Sequence, residues 1–150
     1  MSATGWVVLG VLAVLLVWAV TVYNRLVQLR NRIANALGQI DVQLKRRYDL
    51  IPNLVEVARG YLAHEAATLE AVIKARSQAQ GAAAAVRAAP QSASAMGALA
   101  AAEGVLGGSL GRLMVVAESY PELKADATMQ SLSEEITSTE NRLGFARQAY

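Results

Sequence analysis

Cysteine is absent from the 150-residue chain, histidine occurs once, and only 5% of positions are aromatic. Without cysteine there can be no disulfide, thiolate zinc site, iron–sulfur cluster or thiol nucleophile. The single His64 removes any multi-histidine metal site. So few aromatic residues argue against a mixed α/β core, and the excess of Ala, Leu and Val favours helices or a membrane segment. Charged residues make up only 17%, and the net charge of +2 is too small to support nucleic-acid binding.

Charge is also absent from one end. No charged side chain precedes Arg25, and Trp6 to Val22 is a run of seventeen uncharged residues. As a helix it covers roughly 26 Å, and Ala3 to Tyr23 together reach the roughly 30 Å of a bilayer core. Trp6 and Tyr23 would then lie near opposite interfaces, with Trp18 deeper. A cleaved signal peptide would need a basic start and a shorter apolar stretch, and MSATG carries no charged side chain. Residues 1–23 are therefore expected to form a transmembrane anchor and 24–150 the folded body.

Basic residues follow this span: Arg25, Arg30, Arg32, Lys45, Arg46 and Arg47. The positive-inside rule then puts the N-terminus outside and the body in the cytoplasm. All six are expected to form a juxtamembrane group able to meet anionic headgroups. A solvated helix end is an equally ordinary role for the three residues Lys45 to Arg47.

The body lacks strand-like alternation, so the expected fold is all-α, an elongated antiparallel bundle extending from the membrane helix. Leu26, Leu29, Ile33, Leu37, Ile40 and Leu44 recur at the helical period. The first proline is Pro52, so one rod of about 45 residues is expected, roughly 65–70 Å long, ending near Asp49–Pro52. A second amphipathic face follows through Leu54, Val57, Tyr61, Leu69, Val72 and Ile73. Residues 77–111 hold thirteen Ala and six Gly, and 77–98 reads as an Ala-rich connection, flexible around Gly81 to Ala95. Leu99, Leu106 and Leu113 recur every seven residues, as do Gly97, Gly104 and Gly111. With Gly108, these glycines form a small-residue face suited to close packing, inside the protein or against another subunit. Tyr120–Pro121 restarts a helix, with Ser119 as its expected cap. Met129, Leu132, Ile136, Thr139, Leu143, Ala146 and Tyr150 then trace a heptad-like, coiled-coil seam, expected to continue beyond Tyr150.

Catalytic and cofactor motifs are missing. His64-Glu65 begins like HExxH, but Thr68 stands where the second histidine belongs. Glu134 and Glu135 point about 100° apart on a helix and do not form a dyad; a solvated face is the expected role. No phosphate-binding loop, dinucleotide fingerprint or nucleophile elbow occurs. No cofactor, metal or small-molecule substrate is expected.

Several strings nevertheless have a recognisable form. KRRYDLIPNLVE (45–56), within a longer match from Tyr23 to Arg76, resembles the LemA family of bacterial membrane proteins. AESYPELKA (117–125) and TENRLGFARQAY (139–150) are similar to that family's later segments. The resemblance implies a single-pass protein of the bacterial inner membrane with a cytoplasmic antiparallel bundle, and it supplies no catalytic residue. It also implies a longer chain end than this one, and membrane organisation as a theme. Residues and resemblance together suggest a non-enzymatic scaffold or adaptor in the form of a homo-oligomer, with anionic-lipid remodelling as the alternative.

Overall fold

The computed structural model describes residues 3–149, with side chains described as far as Arg147, and Tyr150 lies outside the described residues. Four long helices and one short one follow in order: α1 (Ala3–Arg59), α2 (Ala66–Ala88), α3 (Ala93–Glu118), α4 (Pro121–Ala125) and α5 (Ala127–Ala149). No strand occurs among the described residues. The last part of α1, from Ile40 onward, packs with α2, α3 and α5 around one core of Leu, Ile, Val and Ala side chains.

The rod is longer than expected. At 57 residues, α1 extends roughly 85 Å and continues through the anticipated break at Pro52. Proline in a helix interior removes one N–H and pushes away the carbonyl four residues earlier. That carbonyl belongs to Tyr48, and Arg76 of α2 donates to it from Nε at 2.7 Å. The orphaned acceptor thus gains a charged donor from the neighbouring helix, and the helix continues for two more turns. Ile51 and Leu54, beside the proline, are fully buried.

The Ala-rich connection is also mostly helix. Ala has the highest helix propensity, and Ala75, Ala79 and Ala83 form a buried face four residues apart along α2. Small side chains at this spacing let α2 lie close against Leu99, Leu106 and Leu113 of α3, all buried. Only residues 89–92 connect the two helices, and Ser92 caps α3 by accepting from the Ala95 amide at 3.2 Å. Residues 77–98 are therefore the end of one bundle helix and the start of the next.

The last connection differs in detail. Tyr120 rather than Ser119 occupies the position before α4, and its side chain makes no capping bond. The short helix α4 buries Leu123 completely. Asp126 then caps α5, its Oδ1 accepting from the Met129 amide at 2.9 Å, while Tyr61 donates to its Oδ2 at 3.0 Å. The anticipated α5 seam is buried at Met129, Ile136, Thr139, Leu143 and Ala146. Thr139 fits this seam because its hydroxyl donates to the Ile136 carbonyl at 2.6 Å. Along α1 the apolar stripe is covered only near Ile40 and Leu44, whereas Leu26, Leu29 and Ile33 remain exposed.

Two outcomes follow from these contacts. Arg76→Ala should destabilise the bundle by about 1–2 kcal/mol in denaturant unfolding. The loss should shrink in a Pro52→Ala background, where the Tyr48 carbonyl regains its intrahelical donor. The bonds from the Met129 amide and then Tyr61 lower the Asp126 pKa below its ordinary value. A depressed carboxyl stabilises the fold above its unfolded pKa, and that contribution is lost as pH falls through the folded value. Asp126→Asn should therefore flatten the acid limb of a melting-temperature profile below about pH 4.

Candidate functional site

Consecutive residues of α1 reach outward to the rest of the bundle. Arg46 pairs with Glu135 of α5 at 2.8 Å, both about half exposed. Arg47 and Tyr48 instead meet one buried carboxylate on α3. Arg47 Nη1 donates to Glu103 Oε2 at 2.7 Å, and Tyr48 Oη donates to Oε1 at 2.6 Å. Arg47 and Glu103 have only 3% and 2% of their side chains exposed. Burial first, and then the bond to Glu103 and its charge, push the Tyr48 phenol far above its ordinary pKa. Tyr48 therefore remains a donor throughout the physiological range.

The expected juxtamembrane group is consequently split. Arg25, Arg30 and Arg32 are exposed along α1. Lys45 begins more than twenty residues beyond Val22, roughly 35 Å along the helix. That is several Debye lengths at physiological salt, too far to act with charges beside the apolar segment. Arg47, expected to face solvent or lipid, is instead a core residue. Its position became legible only with its partner. Glu103 shares the 77–111 stretch with one other charge, Arg87. It lies on the buried line Leu99–Glu103–Leu106–Leu110–Leu113. Reading that line in sevens skipped it; reading it in threes and fours would have placed an acid in the core.

The remaining expectations divide similarly. Trp6, Trp18 and Tyr23 are about two-thirds exposed on an uncovered helix. Gly97, Gly104, Gly108 and Gly111 all lie on the outer side of α3, and a Cβ at any of them would meet no atom within 4 Å. The small-residue face thus does not pack inside the protein. His64 is exposed, and half-buried Glu65 accepts from Tyr120 Oη at a long 3.5 Å. Glu135 is engaged by Arg46 rather than simply solvated, whereas Glu134 is exposed.

Between α3 and α5 a groove of about 440 Å³ runs over Arg47, bordered by Gly104, Gly107, Gly144, Glu140 and Arg147. Arg47 uses one nitrogen on Glu103, while Nε and Nη2 are buried without a hydrogen-bond partner. Among the described residues no three of His, Asp and Glu gather closely enough to hold a metal ion.

Removing Glu103 should expose how much depends on it. Glu103→Ala leaves Arg47 buried and unpaired and should cost about 3–5 kcal/mol, read by chemical denaturation. The double change Arg47→Met with Glu103→Leu should recover most of that loss.

The model of the LemA family matches residues 36–150, the whole bundle without the exposed apolar segment. Among curated proteins none matches the chain.

Proposed function

The chain belongs to the LemA family, and from that membership we propose that it is a non-enzymatic, membrane-anchored helical scaffold that assembles with copies of itself. The carrying observation is the distribution of uncovered apolar surface. The most apolar window of α1 has a mean hydropathy of 2.5 and is 0% buried in the bundle. Such a helix suits a bilayer, with the arginines at 25, 30 and 32 on the cytoplasmic side of a bacterial inner membrane.

A second uncovered surface lies on α3. Gly97, Gly104, Val105, Gly108, Gly111 and Val115 are exposed along its outer side. Val105 and Val115 are more than half exposed. Small residues on a helix let another backbone approach closely, and flanking valines add apolar area. These glycines have no internal neighbour, which supports an oligomer contact on this face. Lipid remodelling is the second reading, favoured by the exposure of Arg25, Arg30 and Arg32. The engagement of Arg46 and Arg47 within the bundle leaves it with fewer free charges.

A chain without native cysteine makes single-cysteine variants direct probes. Gly108→Cys should form disulfide-linked dimers in isolated membranes treated with copper-phenanthroline as oxidant, whereas Ala84→Cys on α2 should not. Gly108→Glu should dissociate the detergent-solubilised assembly with little change in melting temperature. A monomeric wild-type particle at micromolar concentration would remove self-assembly from the proposal. Ala3→Cys should react with an impermeant maleimide from outside, and Gly108→Cys only after the membrane is opened.

A further inference from the structure

We propose that the stretch of α1 between the apolar segment and the bundle docks an acidic amphipathic helix of a partner protein, its apolar side along Leu26, Leu29 and Ile33 and its carboxylates on Arg25, Arg30 and Arg32. The first observation is one apolar line with two fates. Leu26, Leu29, Ile33, Leu37, Ile40 and Leu44 share one face of a helix. Within the bundle Ile40 and Leu44 are buried, whereas Leu26, Leu29 and Ile33 are 60%, 46% and 44% exposed. A contiguous apolar face left open beside its own covered continuation marks a contact surface.

The second observation is height. With Val22 as the end of the span, Ile33 and Leu37 lie roughly 16 and 22 Å farther along the helix. The polar zone of a bilayer adds only about 5–8 Å on each side, so lipid reaches Leu26 but not the rest of the line.

The third observation is charge. The first acidic residue is Asp41, so residues 24–40 carry three arginines and no acid. At about 100° per residue, Arg30 lies about 60° to one side of the apolar line, and Arg25 and Arg32 about 80–100° to the other. All three are exposed. A second copy anchored in the same membrane would run parallel at the same height and set arginine against arginine. The arguments from height and from parallel copies rest on the anchored reading of α1. A partner helix with Leu along one face and Glu or Asp on both flanks meets the apolar line and the arginines together. Leu26 to Leu37 spans roughly 17 Å, which about three turns of such a helix would cover.

The test uses the full chain in phosphatidylcholine nanodiscs and a fluorescein-labelled peptide of about 14 residues with Leu along one face and Glu on both flanks. Saturable binding by fluorescence anisotropy is expected at micromolar concentration, at least tenfold weaker in about 0.5 M salt. Ile33→Asp should abolish binding without lowering the melting temperature of the bundle. Arg30→Glu with Arg32→Glu should reverse the preference toward a Lys-flanked peptide. Gly108→Glu, which tests self-assembly, should leave the affinity unchanged. No saturable binding, equal binding of Glu- and Lys-flanked peptides by the wild-type chain, or undiminished binding by Ile33→Asp overturns the proposal. So does protection of Ile33→Cys from a water-soluble maleimide without peptide, which would assign the face to lipid. Disulfide-linked dimers through Leu29→Cys under copper-phenanthroline would assign it to a second copy and likewise overturn the proposal.

Discussion

One carboxylate in the core organises this bundle. Glu103 accepts from both Arg47 and Tyr48 across the space between α3 and α1, with all three buried. An apolar core of Leu and Ala is tolerant of sliding and rotation, because many registers bury similar area. A buried carboxylate is not, since each oxygen must find a donor or the whole desolvation penalty stands. Two donors from consecutive residues of α1 can meet both oxygens in one register only. The interaction need not add much net stability to fix the arrangement. Arg76 extends the same logic to α2, because the carbonyl it holds belongs to Tyr48, already fixed through its hydroxyl.

This dependence explains what was legible from the residues and what was not. Helical class, the uncovered N-terminal segment and the α5 seam follow from periodicity and composition, which act locally. The continuation of α1 through Pro52 does not, because it relies on Arg76, which lies 28 residues from Tyr48. The Ala-rich segment was expected to be a connection because low complexity resembles a linker. Alanine's propensity and the repeat of four through Ala75, Ala79 and Ala83 instead make it a close-packing helix. The candidate site was the least visible part: KRRYD was recognisable as a string, but the assignment of Arg47 to the core required Glu103, 56 residues away. Tertiary partners decided each of these cases.

The small residues have two separate uses that composition alone merges. Ala75, Ala79 and Ala83 of α2 face inward toward the core, whereas most glycines of α3 face outward and have no side-chain neighbour within the chain. Gly107 is the exception, with Arg47 and Glu140 near the space its missing side chain leaves. Glycine lowers helix propensity by about 1 kcal/mol relative to alanine, so Gly97, Gly104, Gly107, Gly108 and Gly111 weigh against α3 as an isolated helix. Packing against α2 and the anchor at Glu103 compensate within the bundle, leaving the outer face available for assembly.

A continuous α1 also couples these parts mechanically. A break at Pro52 would have separated the buried carboxylate's donors from the far end of the bundle, and a break near Gly38 would have released the apolar segment as a hinged appendage. Neither occurs: Gly38 has nothing within 4 Å of a would-be Cβ, and the helix passes it unbroken. The helix that carries the exposed apolar residues is therefore the same body that holds Arg47 at the floor of the groove. Any force or rotation applied along the rod reaches the Arg47–Glu103 contact without a flexible joint between. In the scaffold reading, packing of neighbouring copies and the buried carboxylate act on one helix, because α3 carries the glycine face on its outer side and Glu103 on its inner side.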